Sequence, residues 1–493
     1  NWKLAVTISI GGVDAAIVIA YMIAVLLFGL WVGRGRQSSA DYFLGGRSLP
    51  WGALLLSIVA TETSTVTFLS IPGLAAAASG NLTFLQITIG YIVGRIFVIF
   101  VLLPLYFKGQ PFTAYAVLES RFGKLSRRIV SSLFLLTRNA SDALRLFLTA
   151  LVLQIVLGLD LNLSVMFIGA VTILYTFIGG ARSVIWNDCI QFVIYMLGAA
   201  TAAYVIVGVT PGGFEQILQF ANDGNKLRIF DFDMNLSKPS MTFWAGLAGG
   251  AFLTAATHGT DQMMVQRYLS ARNQRDASLA LGASGFIVLL QFAVFLLIGV
   301  GLATLFGITE AGSAVDVKND QLFAYFIVNY MPVGLLGITL AAVFAAAMST
   351  LSSSLNSSAA AFINDIYLPL QKSDLDETGK LFASRAVTVV FGFVQIGIAL
   401  AFGLIASNES IVANVLKISG FAAGPVLGLY FLGVFAPRVR QRAALTGFVV
   451  GVGVLSVIAY ATPVHWAWYA LFGSIVTMTA GIFASLLEGS NVE

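Results

Sequence analysis

The chain has 493 residues, 58% of them hydrophobic and 10% charged, a balance that excludes a water-soluble domain of this size and predicts an all-α polytopic protein in a lipid bilayer. Lys and Arg exceed Asp and Glu by four, but the basic residues are scattered over short loops and share no face, which excludes a nucleic-acid partner. One cysteine, Cys189, allows no internal disulfide, and two distant histidines, His258 and His465, exclude a transition-metal centre.

Apolar runs of membrane-crossing length recur at 13–33, 51–78, 84–107, 129–158, 163–180, 185–208, 241–257, 279–305, 334–364, 382–405, 411–435, 443–461 and 467–487. This predicts about thirteen transmembrane helices. The first run lacks a basic flank and a small-residue cleavage site, so it is read as a span and not a leader. Alternate loops are basic: Arg34, Arg36 and Arg47; then Lys108, Arg121, Lys124, Arg127 and Arg128; then Arg267, Arg272 and Arg275. Lys372, Lys380 and Arg385 follow, then Arg438, Arg440 and Arg442, while the opposite loops are mixed, or acidic with Glu310, Asp316 and Asp320. This asymmetry predicts an N-terminus outside and a C-terminus inside. No linker composition interrupts the chain, so residues 1–493 are read as one membrane domain.

The second run carries an anomaly. SIVATETSTVTFLSIPG, residues 57–73, places Glu62 and several hydroxyls at membrane depth. A charge there costs about 2.5 kcal/mol or more on insertion scales, so each one points to function. Glu62, Arg95, Arg138, Asp142, Arg145, Asp188 and Asp261 all qualify. Arg138, Asp142 and Arg145 share one face of the fourth span, so Asp142 can neutralise one arginine. The other is free either for a neighbouring helix or for an anionic group in a cavity.

In the ninth span, AAAMSTLSSSLNSS (345–358), Ser349, Ser352, Ser353 and Asn356 fall on one stripe with Thr350 beside Ser349. A small-residue packing seam is one explanation. A packing seam can be built of Gly and Ala, however, and this one adds the oxygens that a hard monovalent cation wants. If the second span unwinds near Ala60 to Thr65, its freed carbonyls are tolerated only where they are buried in protein or line a cavity, and they become cation ligands. The seventh run is interrupted too, at FLTAATHGTDQ (252–262), five spans later and running the other way. Broken helices at matching places in two halves point to an inverted-repeat transporter with a site near the midplane.

Several stretches together resemble the sodium/solute symporter family over essentially the whole chain: DYFLGGRSLPW (41–51) with the TETST run after it, YTFIGGARSVIWNDCIQFVI (175–194), DQMMVQRYLSA (261–271), AAAMSTLSSSLNSSAAAFINDIY (345–367) and SGFAAGPVLGLYFLGVF (419–435). The resemblance implies a leucine-transporter-like 5+5 inverted repeat, with 13–33 as an extra N-terminal helix, 51–208 and 241–435 as the repeats, and 443–487 as two C-terminal helices. It places a first sodium site on the carbonyls of Ala60, Thr63 and Ala346 and the hydroxyls of Ser349 and Thr350. A second, found in some members, would use Asp188, Ser349, Ser352 and Ser353.

The first broken helix is similar to that of bacterial sialic acid symporters, in which Ser64 and Thr67 would face substrate. The arginine that grips the carboxylate there corresponds to Ser141 here, flanked by Arg138 and Arg145. Thr254 and Thr257 stand where sugar symporters carry an amide and a tyrosine, and SGFAAGPVLG is similar to the vitamin, monocarboxylate and iodide branch. Glu62, Ser64, Thr67, Gln86, Arg138, Arg145, Thr254 and His258 are the substrate candidates. The expectation is a symporter of the cell inner membrane that uses sodium ions to import a small polar organic solute of the sugar, sialic acid or carboxylate class. The competing expectation is a sodium-permeable channel built on the same stripe. An enzyme would need a nucleophile–base pair or metal cluster, and an ATP-driven pump a phosphate loop; neither motif is present.

Overall fold

A computed structural model describes residues 11–34, 38–109, 111–157, 159–238, 240–310, 312–315, 317–371, 375–404 and 411–489. Arg36, Asp316 and Lys372, three of the loop charges used above, lie outside the described residues. The described chain is nearly all helical. The helices that build the bundle and its breaks are α1 (Gly12–Val32), α2 (Trp51–Glu62), α3 (Thr65–Ala76), α4 (Thr83–Lys108), α5 (Lys124–Leu157), α6 (Leu161–Val209), α7 (Gly250–Gly259) and α8 (Gln262–Leu269). They continue as α9 (Gln274–Leu305), α10 (Leu322–Tyr330), α11 (Leu335–Ala361), α12 (Glu377–Leu404), α13 (Ile411–Phe435), α14 (Gln441–Ala461) and α15 (Tyr469–Gly489). By length and composition eight helices among the described residues can cross a membrane, or nine with the bent pair α2–α3 counted as one.

The two predicted interruptions are present. α2 ends at Glu62, Thr63 and Ser64 are extended, and α3 leaves at an angle of 63°. α7 follows a wider π-helical turn at Ala245–Gly249 and stops at Thr260; Asp261 then caps α8 by accepting from the Met263 amide at 2.8 Å. The start of α2 and the end of α8 are tied together, because the Leu49 amide donates to the Ser270 carbonyl at 3.1 Å. α6 is 49 residues long and bends at Gly180, whose φ of 56° and ψ of −159° only glycine adopts readily.

α11 is the central helix. Every residue from Thr339 to Ala361 is buried, so its hydroxyl stripe faces protein on all sides. α6 packs along it, α12 packs on α5 and α6, and α9 packs on α2 and α3. α4 crosses α7 closely through glycines: a Cβ on Gly90 would lie 2.1 Å from the Gly246 carbonyl, and one on Gly94 would lie 2.4 Å from that of Ala251. This crossing sets Arg95, the next residue, against the broken ends of α2 and α7.

α1 is fastened to α11 by one carboxylate. Asp14, 1% exposed, accepts from the Gly334 and Gly337 amides, both at 2.7 Å, and so caps the N-terminus of α11 from a different helix. Asp14→Ala is expected to cost about 1–3 kcal/mol, read as a lowered unfolding midpoint of the detergent-solubilised protein. An unchanged midpoint would show that the cap carries no stability.

Candidate functional site

At the break of α2, no described backbone amide donates to the carbonyls of Ala60 or Thr63, and both residues are buried. α11 supplies one side chain there, Thr350. Thr350 Oγ1 donates to the Thr61 carbonyl at 3.2 Å and lies 3.4 Å from the Ala346 carbonyl, bridging the broken helix to the hydroxyl stripe. Gln291 of α9 donates to the Thr63 hydroxyl at 2.6 Å and ties the non-helical segment to a second helix. Freed carbonyls and hydroxyls thus converge at the break.

One turn along α11 lies Asp188, on α6 and fully buried. Ser349 donates to its Oδ1 at 2.7 Å and Ser57 to its Oδ2 at 2.6 Å. Ser352 turns back to the Ser349 carbonyl at 3.2 Å. Thr61 Oγ1 donates to Asp188 Oδ2 at 3.3 Å, and the fourth partner of the carboxylate is Arg267. Reading 267–275 as a basic loop puts this residue in water; it is instead 3% exposed, near the end of α8. Its guanidinium donates to Asp188 Oδ2 at 3.1 Å, to Ser57 Oγ at 2.9 Å and to the Met263 carbonyl at 2.6 Å, and it also bonds the hydroxyls of Thr61 and Ser353. Asp188 and Ser353 therefore already share a protein cation.

A separate cavity opens beside the two breaks. It is lined by Glu62 from α2, Arg138, Ser141 and Arg145 from α5, Thr254, Thr257 and His258 from α7, and Asp261 from the α7–α8 break, with Tyr91, Tyr115 and Trp466 in its wall. Glu62 pairs with Arg95 at 2.5 Å; His258 lies 3.5 Å from the same carboxylate oxygen and 3.0 Å from the Tyr268 hydroxyl. The sequence leaves one of Arg138 and Arg145 without a partner on its own helix, and the structure does not. Both arginines bind Asp142 instead: Arg138 through two bonds of 2.5 and 2.7 Å, and Arg145 through Nη1 to Oδ1.

Of the eight predicted substrate residues, Glu62, Arg138, Arg145, Thr254 and His258 line this cavity, whereas Ser64, Thr67 and Gln86 do not. Gln86 is a buried strut: its amide donates to the Thr83 and Met241 carbonyls, each at 3.0 Å, and its oxygen accepts from the Asp231 amide at 3.0 Å. Arg267 and the Arg95 partnership escaped the sequence reading. The apolar Met263, Met264 and Val265 beside Arg267 were the available signal that it lies inside the protein.

A profile of the sodium:solute symporter family matches residues 42–451. The chain belongs to this family. The sodium/sialic acid symporter NanT of Aliivibrio fischeri is 30% identical over 98% of this chain and 95% of its own length. The human sodium-coupled monocarboxylate transporter 1 is 30% identical over 87% of this chain and 70% of its own length. A solved substrate-bound, outward-open sodium-coupled sialic acid symporter superposes with a TM-score of 0.87 at 28% identity, covering 97% of this chain and 98% of that one.

Sodium is the family's coupling ion, and the residues at the α2 break suit it: buried carbonyls without amide partners, next to hydroxyls, are the neutral oxygen set a hard monovalent cation accepts. For this symporter the Asp188–Arg267 pair is open to a stability test. Asp188→Ala leaves Arg267 as an unpaired buried cation, at an expected cost of about 3–5 kcal/mol. The double variant Asp188→Ala, Arg267→Ala should recover most of that loss in unfolding experiments. A double variant as unstable as the single one would contradict the pairing.

Proposed function

We propose that this protein is a sodium-coupled secondary active symporter that imports a small polar organic solute of the sugar, sialic acid or carboxylate class by alternating access, with two sodium ions per cycle. The observation that carries this reading is that Thr350, 3.4 Å from the Ala346 carbonyl, bonds the Thr61 carbonyl of the broken helix, whose neighbouring Ala60 and Thr63 carbonyls accept from no described backbone amide. A sodium ion held there by Ala60, Thr63, Ala346, Ser349 and Thr350 would clamp α2 to α11, and its loss on the cytoplasmic side would release them. Each ion moved through the full field adds up to about 2.3 kcal/mol per 100 mV to the drive for uptake.

The second ion would use Asp188, Ser349, Ser352 and Ser353. Two of these four, Asp188 and Ser353, are bonded to Arg267, so the guanidinium and a sodium ion compete for one carboxylate. Entry of the ion would displace Arg267 and loosen α8 from α2 and α11, which links ion occupancy to movement of the second broken helix.

The solute would occupy the cavity between Glu62 and the arginines of α5. In this reading 51–208 and 241–435 are two inverted five-span repeats, the bend at Gly180 divides α6 into two spans, and thirteen spans leave the N-terminus outside and the C-terminus in the cytoplasm, with the protein in the inner membrane. Ser349→Ala combined with Thr350→Ala should abolish sodium-driven uptake in proteoliposomes while leaving a folded protein. Unchanged uptake and sodium affinity would sink the proposed ion site, and a sodium current without added solute would favour a channel.

A further inference from the structure

We infer that the transported solute is dipolar, carrying an anionic group such as a carboxylate and a cationic ammonium on one small molecule. This rests on the symport reading and narrows its substrate class. Four charged side chains face the cavity, and each is partly open to it: Glu62 is 17% exposed, Arg138 11%, Arg145 14% and Asp261 25%. Their buried partners are Arg95, at 1%, and Asp142, at 0%. Three arginines, Arg95, Arg138 and Arg145, thus stand against three carboxylates, Glu62, Asp142 and Asp261, and the formal charge of the set is zero.

What these groups leave unused matters as much as their sum. Glu62 spends one oxygen on Arg95, and its Oε1 accepts no hydrogen bond among the described residues. Asp261 spends Oδ1 on the α8 cap, and its Oδ2 lies 4.0 Å from Arg138 Nη1, an ion contact too long for a hydrogen bond. On the donor side, Arg138 Nη1 and Arg145 Nη2 donate to no described group, their other nitrogens having been turned toward Asp142 or buried. The cavity therefore presents two spare carboxylate oxygens from the broken helices and two spare guanidinium nitrogens from α5.

A singly charged acid could take the arginines, but it would bring a third anion beside Glu62 and Asp261. A singly charged amine would meet the reverse problem. A neutral sugar would remove water from four ionic groups and return only neutral hydrogen bonds, which are weaker than charge-assisted ones. A zwitterion fills both sets: its carboxylate goes to Arg138 and Arg145, and its ammonium goes to Asp261 and Glu62.

The test is a thermal-shift and uptake screen of the full-length protein in sodium and in potassium. The probes are zwitterionic amino acids and trimethylglycine, set beside N-acetyl amino acids and lactate as acids without an ammonium, amino-acid methyl esters as amines without a carboxylate, and N-acetylneuraminate. A zwitterion should give a sodium-dependent shift, with its singly charged counterparts weaker by about tenfold or more. Sodium-dependent binding of lactate, N-acetylneuraminate or an N-acetyl amino acid as tightly as any zwitterion would overturn the dipolar inference alone and leave symport standing. No sodium-dependent shift or uptake with any zwitterion would overturn the dipolar inference and leave the symport reading to be tested by its own uptake experiment. Asp261→Asn keeps a side-chain oxygen for the α8 cap but removes the charge, so it should lower the preference for zwitterion over acid by about tenfold; an unchanged preference would count against the inference.

Discussion

A helix that stops inside a membrane protein leaves carbonyl groups with no water and no amide to bond, and the architecture around α2 answers that one constraint. The unwound pair Thr63–Ser64 is not exposed to lipid but enclosed by α9 and α11. α11 is buried on every side, so its hydroxyls cannot be a solvent face and must serve neighbours inside the protein. Gln291 bonds the segment at Thr63 and Thr350 bonds the last turn before it at Thr61. They hold it open and do not close it back into a helix, which suits a structure meant to bind and release an ion.

The second theme is that charge inside the bundle is compensated locally. Asp188 is met by Arg267, Glu62 by Arg95, and Asp142 by two arginines at once. Such pairs are poor sources of stability, because desolvation offsets much of their attraction. They are well suited to a cycle in which a mobile cation or a charged solute exchanges with a tethered one. Arg267 is the clearest example: it bonds hydroxyls on two different helices, Thr61 on α2 and Ser353 on α11, as well as the carboxylate on α6. Whatever takes its place at Asp188 changes how α8 is held.

Much of this was legible in the sequence, and the exceptions have a common cause. The break at TETST, the oxygen stripe of Ser349 to Asn356 and the interruption near Thr260 are local patterns of residue type and spacing, and the structure carries all three. The family motifs supplied the sodium assignment, which spacing alone left open against a packing seam. Partnerships were not legible. Nothing in the sequence names the partner of Glu62, and it is the glycine-to-backbone approach of α4 that brings Arg95 to it. Arg267 read as a loop charge because charge-counting rules treat a basic residue at the end of an apolar run as wet. Gln86 looked like a substrate ligand because a buried amide in a span is uncommon, yet its bonds go to backbone, at the start of its own helix and at Asp231 and Met241.

The central claim is that the broken α2 and the stripe of α11 form a sodium cage, with Asp188 serving a second ion. Equilibrium binding of radioactive sodium to the purified protein tests it most directly. The account predicts saturable binding approaching two ions per chain that equal concentrations of potassium do not displace. Binding that fails to saturate, or that potassium displaces as readily as sodium does, would contradict it.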